Sequence, residues 1–169
     1  RKSFGERLLI DNLNFNLPKG GIVALLEGSQ PGPTILLRGD MDALPMPEDT
    51  GLDFSSAVDG TMHACGHDAH TAMLVGAARV LVAQRDRLAG RVRFMFQPGE
   101  EGFGGAADMI DEGVLDDVDA AFALHVAPNV WSDFVVHRSG AAMASADVVQ
   151  ITVTGRGGHA STPHWATDP

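Results

Sequence analysis

Three short apolar runs, each closed by a polar cluster, constrain this chain more than any other feature. Thr34-Ile35-Leu36-Leu37-Arg38 leads to Gly39-Asp40-Met41-Asp42. Arg91-Val92-Arg93-Phe94-Met95-Phe96-Gln97 leads through Pro98-Gly99 to Glu100-Glu101, and Asp119-Ala120-Ala121-Phe122-Ala123-Leu124 leads to His125. Apolar runs of this length bounded by Gly and Pro predict buried strands. Ile22-Val23-Ala24-Leu25-Leu26 is a further such run, and the Gly/Pro-rich residues 28–33 predict a hairpin turn from it into the next strand. Residues 12–17 alternate weakly and end in a turn signal.

Helical patterns lie between the strands. Residues 69–85 carry Met73, Leu74, Ala77, Ala78, Val80 and Leu81 at helical spacing, predicting a largely buried helix that ends near Gly90. Residues 106–112 predict a short second helix with Gly113 in the C′ role. Strands alternating with helices describe an α/β fold, an open, mostly parallel sheet with flanking helices. Such sheets hold their ligands beyond the carboxyl ends of the strands. Asp40, Asp42, Glu100, Glu101 and His125 all fall there.

The densest chemistry is His63-Ala64-Cys65-Gly66-His67-Asp68-Ala69-His70, with three imidazoles and the chain's one cysteine. Imidazole and thiolate bind borderline-soft divalent metals, and an adjacent carboxylate such as Asp68 commonly fixes a ligating histidine's tautomer. A Cys-x-His spacing with no second Cys does not make a zinc knuckle, so a site assembled from distant parts of the chain fits better. Cys65 and His67 are expected at or just before the helix N-terminus, where the macrodipole favours a thiolate. Asp40 and Asp42 could be ligands, supports of ligands, or turn-forming residues. His63 and His70 have no assigned role, with solvated or supporting positions as the default.

Composition excludes several classes. Asp+Glu number 22 against 12 Lys+Arg, a net charge of −10, which argues against nucleic acid. No apolar run approaches the ~20 residues of a membrane helix. A single cysteine forms no internal disulfide, so a reducing, cytoplasmic setting is expected. The glycine run at residues 102–105 lacks the Lys-Ser/Thr of a phosphate-binding loop.

Residues 146–154 alternate cleanly and predict a half-exposed strand, followed by Gly157-Gly158-His159-Ala160 and then by Thr162-Pro163 as a helix start. The expected organisation is therefore a partial catalytic domain over 1–145 and the beginning of a second domain over 146–169. The pattern is that of a fragment.

Taken together, Leu37-Arg38-Gly39-Asp40-Met41-Asp42-Ala43-Leu44-Pro45, His63-Ala64-Cys65-Gly66-His67-Asp68, Gln97-Pro98-Gly99-Glu100-Glu101-Gly102, Leu124-His125-Val126 and Gly157-Gly158-His159-Ala160 occur in a fixed order. In this the chain resembles, over about residues 22–169, the cysteine-containing amidohydrolases of the di-metal aminoacylase and carboxypeptidase family. That group includes hippurate hydrolases, N-acyl-amino-acid deacylases and auxin-conjugate hydrolases. The resemblance implies a catalytic α/β domain interrupted by a smaller α+β lid that forms a homodimer. It implies two divalent ions (Mn, Zn, Co or Ni) held by Cys65, His67, Glu101 and His125, with one more histidine ligand beyond residue 169. Glu100 takes the general-base position, and His159 that of a lid histidine reaching a small N-acyl amino acid substrate across the dimer. Asp40, Asp42 and Asp68 are supporting residues.

In that chemistry the ions polarise the acyl carbonyl and acidify a water, and Glu100 carries its proton to the leaving amine. His159 donates to the developing oxyanion. Two rivals stand beside it: an inactive metal-binding or dimerisation fragment, and a redox-sensing Cys65, disfavoured by the lack of a resolving cysteine.

Overall fold

The computed structural model describes residues 2–4, 7–10, 14–16, 20–145, 147 and 149–168. They fall into two compact units, Arg1–Asn129 and Val130–Pro169. The expected domain boundary at Ala146, residues 12, 13 and 17 of the first weakly alternating stretch, and residues 18 and 19 of the turn that ends it lie outside the described residues.

In the first unit, β1 (Lys2–Phe4) and β2 (Arg7–Ile10) form an antiparallel pair of their own. The main sheet has five strands: β3 (Asn14–Asn16), β4 (Ile22–Glu27), β5 (Gln30–Asp40), β6 (Ala89–Gln97) and β7 (Ala120–Ala123). Their spatial order is β3-β4-β6-β5-β7. The α/β expectation holds, with a refinement. β6, β5 and β7 run parallel, whereas β3–β4 and β4–β6 are antiparallel. The parallel half puts the carboxyl ends of β5, β6 and β7 along one edge.

The hairpin expected at residues 28–33 does not form, because β6 is inserted between β4 and β5. The connection crosses the start of β6 instead: Gly28 N–H donates to the Gly90 carbonyl at 2.9 Å and Ser29 N–H to the Leu88 carbonyl at 3.0 Å. Gly90 has φ +83°, and a Cβ there would collide with the Pro33 carbonyl. Only glycine permits this crossing. β6 pairs along both edges as a central strand, with Val92 and Phe94 buried on one face and Met95 on the other.

Two helices cover the sheet. α1 (His67–Ala83) follows β5, and its Leu74 and Ala78 pack with Ala24, Leu26, Val92 and Phe94. α2 (Gly105–Asp111) follows β6, and its Met109 packs with Leu36, Met95 and Val114. Val92 and Phe94 alternate with Met95 along β6, so the two clusters lie on opposite faces of the sheet. Phe94 and Leu26 are fully buried, each worth about 1.5–3 kcal/mol of transfer free energy. Gly113, at φ +85°, ends α2 in the expected C′ role.

Two predicted burials are corrected. α1 is buried along one stripe only, with Met73 44% and Val80 56% exposed, since a single sheet face covers it. β7 is an edge strand rather than a buried one, with Phe122 60% exposed; β5 flanks one side of it, and among the described residues no strand flanks the other.

The second unit has little regular structure. The strand predicted over 146–154 is not formed by its described residues, and Val149, Ile151 and Val153 are exposed. An alternating pattern needs a partner strand to become a ladder. Thr162 and Pro163 do begin a helical turn, a single 3₁₀ turn over Pro163–Trp165.

Candidate metal centre

The site assembles where β5, β6 and β7 end. Asp40 is the last residue of β5, and Asp42 follows it. Glu100 and Glu101 follow the turn after β6, and His125 lies just past β7. The histidine cluster arrives on α1. Gly66, at φ +81°, sits in the left-handed conformation that turns the chain into the helix, so Cys65 precedes the helix and His67 is its first residue.

His67 is the centre. Its ring is 1% exposed. Nδ1 lies 3.0 Å from the Asp42 carbonyl oxygen and 3.1 Å from Asp42 Oδ1, both acceptors, so this nitrogen carries the proton. Nε2 is thereby left as a lone-pair donor, buried and without a hydrogen-bond partner. Leaving such an atom unsatisfied costs about 1–3 kcal/mol. Around it stand Asp40 Oδ2 at 3.6 Å, Glu101 Oε1 at 3.9 Å and Glu100 Oε2 at 4.0 Å. Three sets of side chains each bring donor atoms within 4.8 Å of one another: Cys65, His67 and His125; His67, Glu100 and Glu101; Asp40, His67 and His70. His67 belongs to all three.

The remaining donors are oriented by their own partners. Cys65 Sγ is 3.4 Å from His125 Nε2. His125 Nδ1–H donates to the Val126 carbonyl at 2.7 Å, which leaves Nε2 facing the thiol. Asp42 Oδ2 accepts the Glu101 N–H at 3.0 Å, so one carboxylate braces both His67 and the acidic dipeptide. Burial opposes ionisation of Asp42, but hydrogen bonds from the backbone at Glu101 and Glu100, and from His67, hold its pKa below the usual carboxylate range.

The Cys65 thiol departs from expectation. Burial first, then the carboxylates of Glu101, Glu100 and Asp40, raise its pKa above the ordinary thiol value. Burial and these charges both act against the thiolate that the helix N-terminus would favour. A cation placed among them would reverse that balance and favour the thiolate.

Asp40, expected as a support, is fully buried at 0% exposure. Arg38 Nη1 comes within 2.8 Å of its Oδ2, not aligned for a hydrogen bond, while Arg38 Nε donates to Gln97 Oε1 at 2.8 Å. Asp40 Oδ1 meets His70 Nδ1 at 2.5 Å. His70, to which the sequence assigned no role, is 3% exposed and belongs to this knot. The missed signal was its spacing of three from His67, which puts both rings on one helix face. His63 stays exposed, with Nδ1 3.1 Å from the Asp42 carbonyl. Asp68 is exposed and its carboxylate accepts the Ala69 N–H at 2.8 Å, at the first turn of α1. His159 lies in the second unit, exposed, with Nδ1 2.8 Å from Ser161 Oγ.

This donor set suits divalent cations. It combines a thiol, neutral imidazole nitrogens and several carboxylates around an unsatisfied buried lone pair, the ligand types that borderline metals take.

Comparisons with known proteins match the stretch of chain that carries this cluster. The model of peptidase family M20/M25/M40 matches residues 36–167. Thermostable carboxypeptidase 1 of Saccharolobus solfataricus is 49% identical over 150 residues, 88% of this chain and 38% of that protein. N-acetylcysteine deacetylase of Bacillus subtilis is 46% identical over 164 residues, 97% of this chain and 43% of that protein. A crystal structure of a Bacillus subtilis protein, described as a dinuclear metal-binding peptidase, aligns at a TM-score of 0.67 with 47% identity. That alignment covers 69% of this chain and 33% of the other. The chain thus spans well under half the length of these relatives.

Proposed function

The chain belongs to peptidase family M20/M25/M40, and from that premise we propose that it forms the metal-binding part of an amidohydrolase that cleaves N-acyl amino acids. The observation that carries this reading is the buried, unpartnered His67 Nε2 facing a thiol, an imidazole and carboxylates. Cys65, His67, Glu101 and His125 would hold two divalent ions. When bound, such ions polarise the acyl carbonyl and acidify a water.

The chain's own residues supply the rest. Asp42 keeps the His67 proton on Nδ1, so that Nε2 always points its lone pair into the cluster. The Glu100 side chain is 41% exposed, and its carboxylate stands 4.0 Å from His67 Nε2, beyond hydrogen-bond reach. It is free to take the proton of the attacking water and return it to the leaving amine. Glu101 is less exposed, and its backbone is tied to Asp42, which suits a ligand rather than a base. N-acyl amino acids as substrates are supported by the name of the deacetylase relative. In the same reading, residues 146–169 begin a lid through which a homodimer forms, and His159 reaches the substrate from it. Its exposed ring leaves Nε2 available for that contact.

The test is metal content and hydrolysis of N-acetyl amino acids by the full-length protein that carries this chain, as wild type and as Glu100→Gln. Metal without turnover in the wild type would leave a metal-binding piece and sink the amidohydrolase reading. Turnover lost in the variant at unchanged metal content supports it.

A further inference from the structure

We propose that His70 is a positioning residue that locks His125, a metal ligand contributed by the loop after β7, to the buried end of β5. The inference rests on the metal reading above and assigns His70 a part in it. Val126 N–H donates to His70 Nε2 at 2.9 Å. A backbone N–H can only donate, so Nε2 must be the accepting nitrogen and the His70 proton sits on Nδ1. Nδ1 faces Asp40 Oδ1 at 2.5 Å, an acceptor suited to that proton. Both ring nitrogens are therefore committed, and His70 has no lone pair to give a metal. That separates it from His67, whose Nε2 is free.

The tie reaches His125 in two ways. The Val126 carbonyl accepts the His125 Nδ1–H at 2.7 Å, so the residue His70 grips by its N–H orients His125 by its C=O. The His70 and His125 rings also meet edge to face, with centroids 4.6 Å apart. A third restraint helps: the Val126 side chain lies where a Cβ on Gly66 would be, so the loop is seated on the turn that opens α1. Asp40, held by Arg38 and reached by the Thr71 hydroxyl at its carbonyl, anchors the chain of contacts in the core. Without His70, the segment carrying His125 loses its only described hydrogen bond to the interior of the first unit through Val126 N–H. The separation of Cys65 and His125 then rests on their own contact and on the seating of Val126 against Gly66.

The experiment titrates the full-length protein with Co(II), following the thiolate-to-metal absorption, for wild type, His70→Ala and His70→Gln. His70→Ala should bind Co(II) about 10–100-fold more weakly, the range for loss of a partner that orients a ligand. His70→Gln, whose amide can both accept from Val126 and donate to Asp40, should recover a large part of that loss. Thermal unfolding of the metal-free variants is recorded alongside. A merely structural role would lower the unfolding temperature while leaving Co(II) affinity within twofold of wild type, and that result overturns the proposal. Wild type that binds no Co(II) would instead sink the metal reading itself, and this inference with it. Should neither variant fold, the imidazole ¹⁵N spectrum of the metal-free wild type decides. His70 protonated on Nδ1 with Nε2 accepting supports the lock, and a proton on Nε2 removes it.

Discussion

The candidate metal centre has a closed half and an open half, built on different physics. In the closed half, Asp40, His67 and His70 are 0%, 1% and 3% exposed, and nearly every polar atom is committed to a named partner. In the open half, Cys65, Glu100 and His125 have exposed or half-exposed side chains and few partners. A buried polar group left without its partner is costly, so the closed half orients groups and cannot move. The open half can be reached by solvent and substrate. Among the described residues two buried side-chain atoms lack a hydrogen bond, Asp40 Oδ2 and His67 Nε2. Asp40 Oδ2 has the Arg38 guanidinium beside it, whereas His67 Nε2 lies where the two halves meet with no cation near it.

The comparison can be broken or sharpened by substitution. The largest effect is expected in the open half, on activity alone. If the proposed hydrolysis holds, Glu100→Gln should cost about 10²–10⁴-fold in kcat in the full-length protein. Its unfolding free energy should stay within about 0.5 kcal/mol of wild type, as for an exposed position. Chemical denaturation beside steady-state kinetics would check both, and near-normal turnover would remove Glu100 from the base role.

Next comes the closed half, where the effect falls on stability. Asp40→Ala removes the acceptor of His70 Nδ1–H and the counter-charge of Arg38. Breaking a buried ionic group in this way costs about 3–5 kcal/mol. A loss under about 1 kcal/mol in urea unfolding would mean that the knot is not structural.

Cys65→Ala should weaken metal binding by at least about tenfold, since a ligand should matter no less than the partner of one. Dialysis followed by elemental analysis measures it, and equal stoichiometry in both proteins would count against Cys65 as a ligand. The metal-free protein should unfold almost as wild type does.

The smallest effect separates a support of the site from a helix-terminal charge. Asp68 lies in the first turn of α1, exposed, accepting the Ala69 N–H. Asp68→Ala is expected to cost about 0.3–1 kcal/mol of stability through the macrodipole. Co(II) affinity should not change; a clear fall would return Asp68 to the role of orienting a ligand.

Much of the fold and the site was legible in local pattern. Apolar runs bounded by glycine and proline located β4, β5, β6 and β7 to within a few residues, and helical spacing located α1 and α2. The types of residue just past those strands marked the edge where donors gather, because an α/β sheet offers its ligands there. What local pattern could not carry is pairing. Residues 91–97 and 149–153 both alternate, yet only the former lies between two strands and becomes one. The insertion of β6 between β4 and β5, which abolished the expected hairpin, is a choice among partners far apart in sequence.

The same division separates His67 from His70. By itself the sequence determined that two imidazoles stand three positions apart at the start of one helix, and so on one face of it. Nothing within the helix distinguishes them. The tertiary structure decided that His70 receives the N–H of Val126, 56 residues away, while His67 Nε2 meets no donor. A hydrogen bond is a contact of about 3 Å between groups that only folding brings together. It converts one imidazole into a strut and leaves the other free to bind a cation.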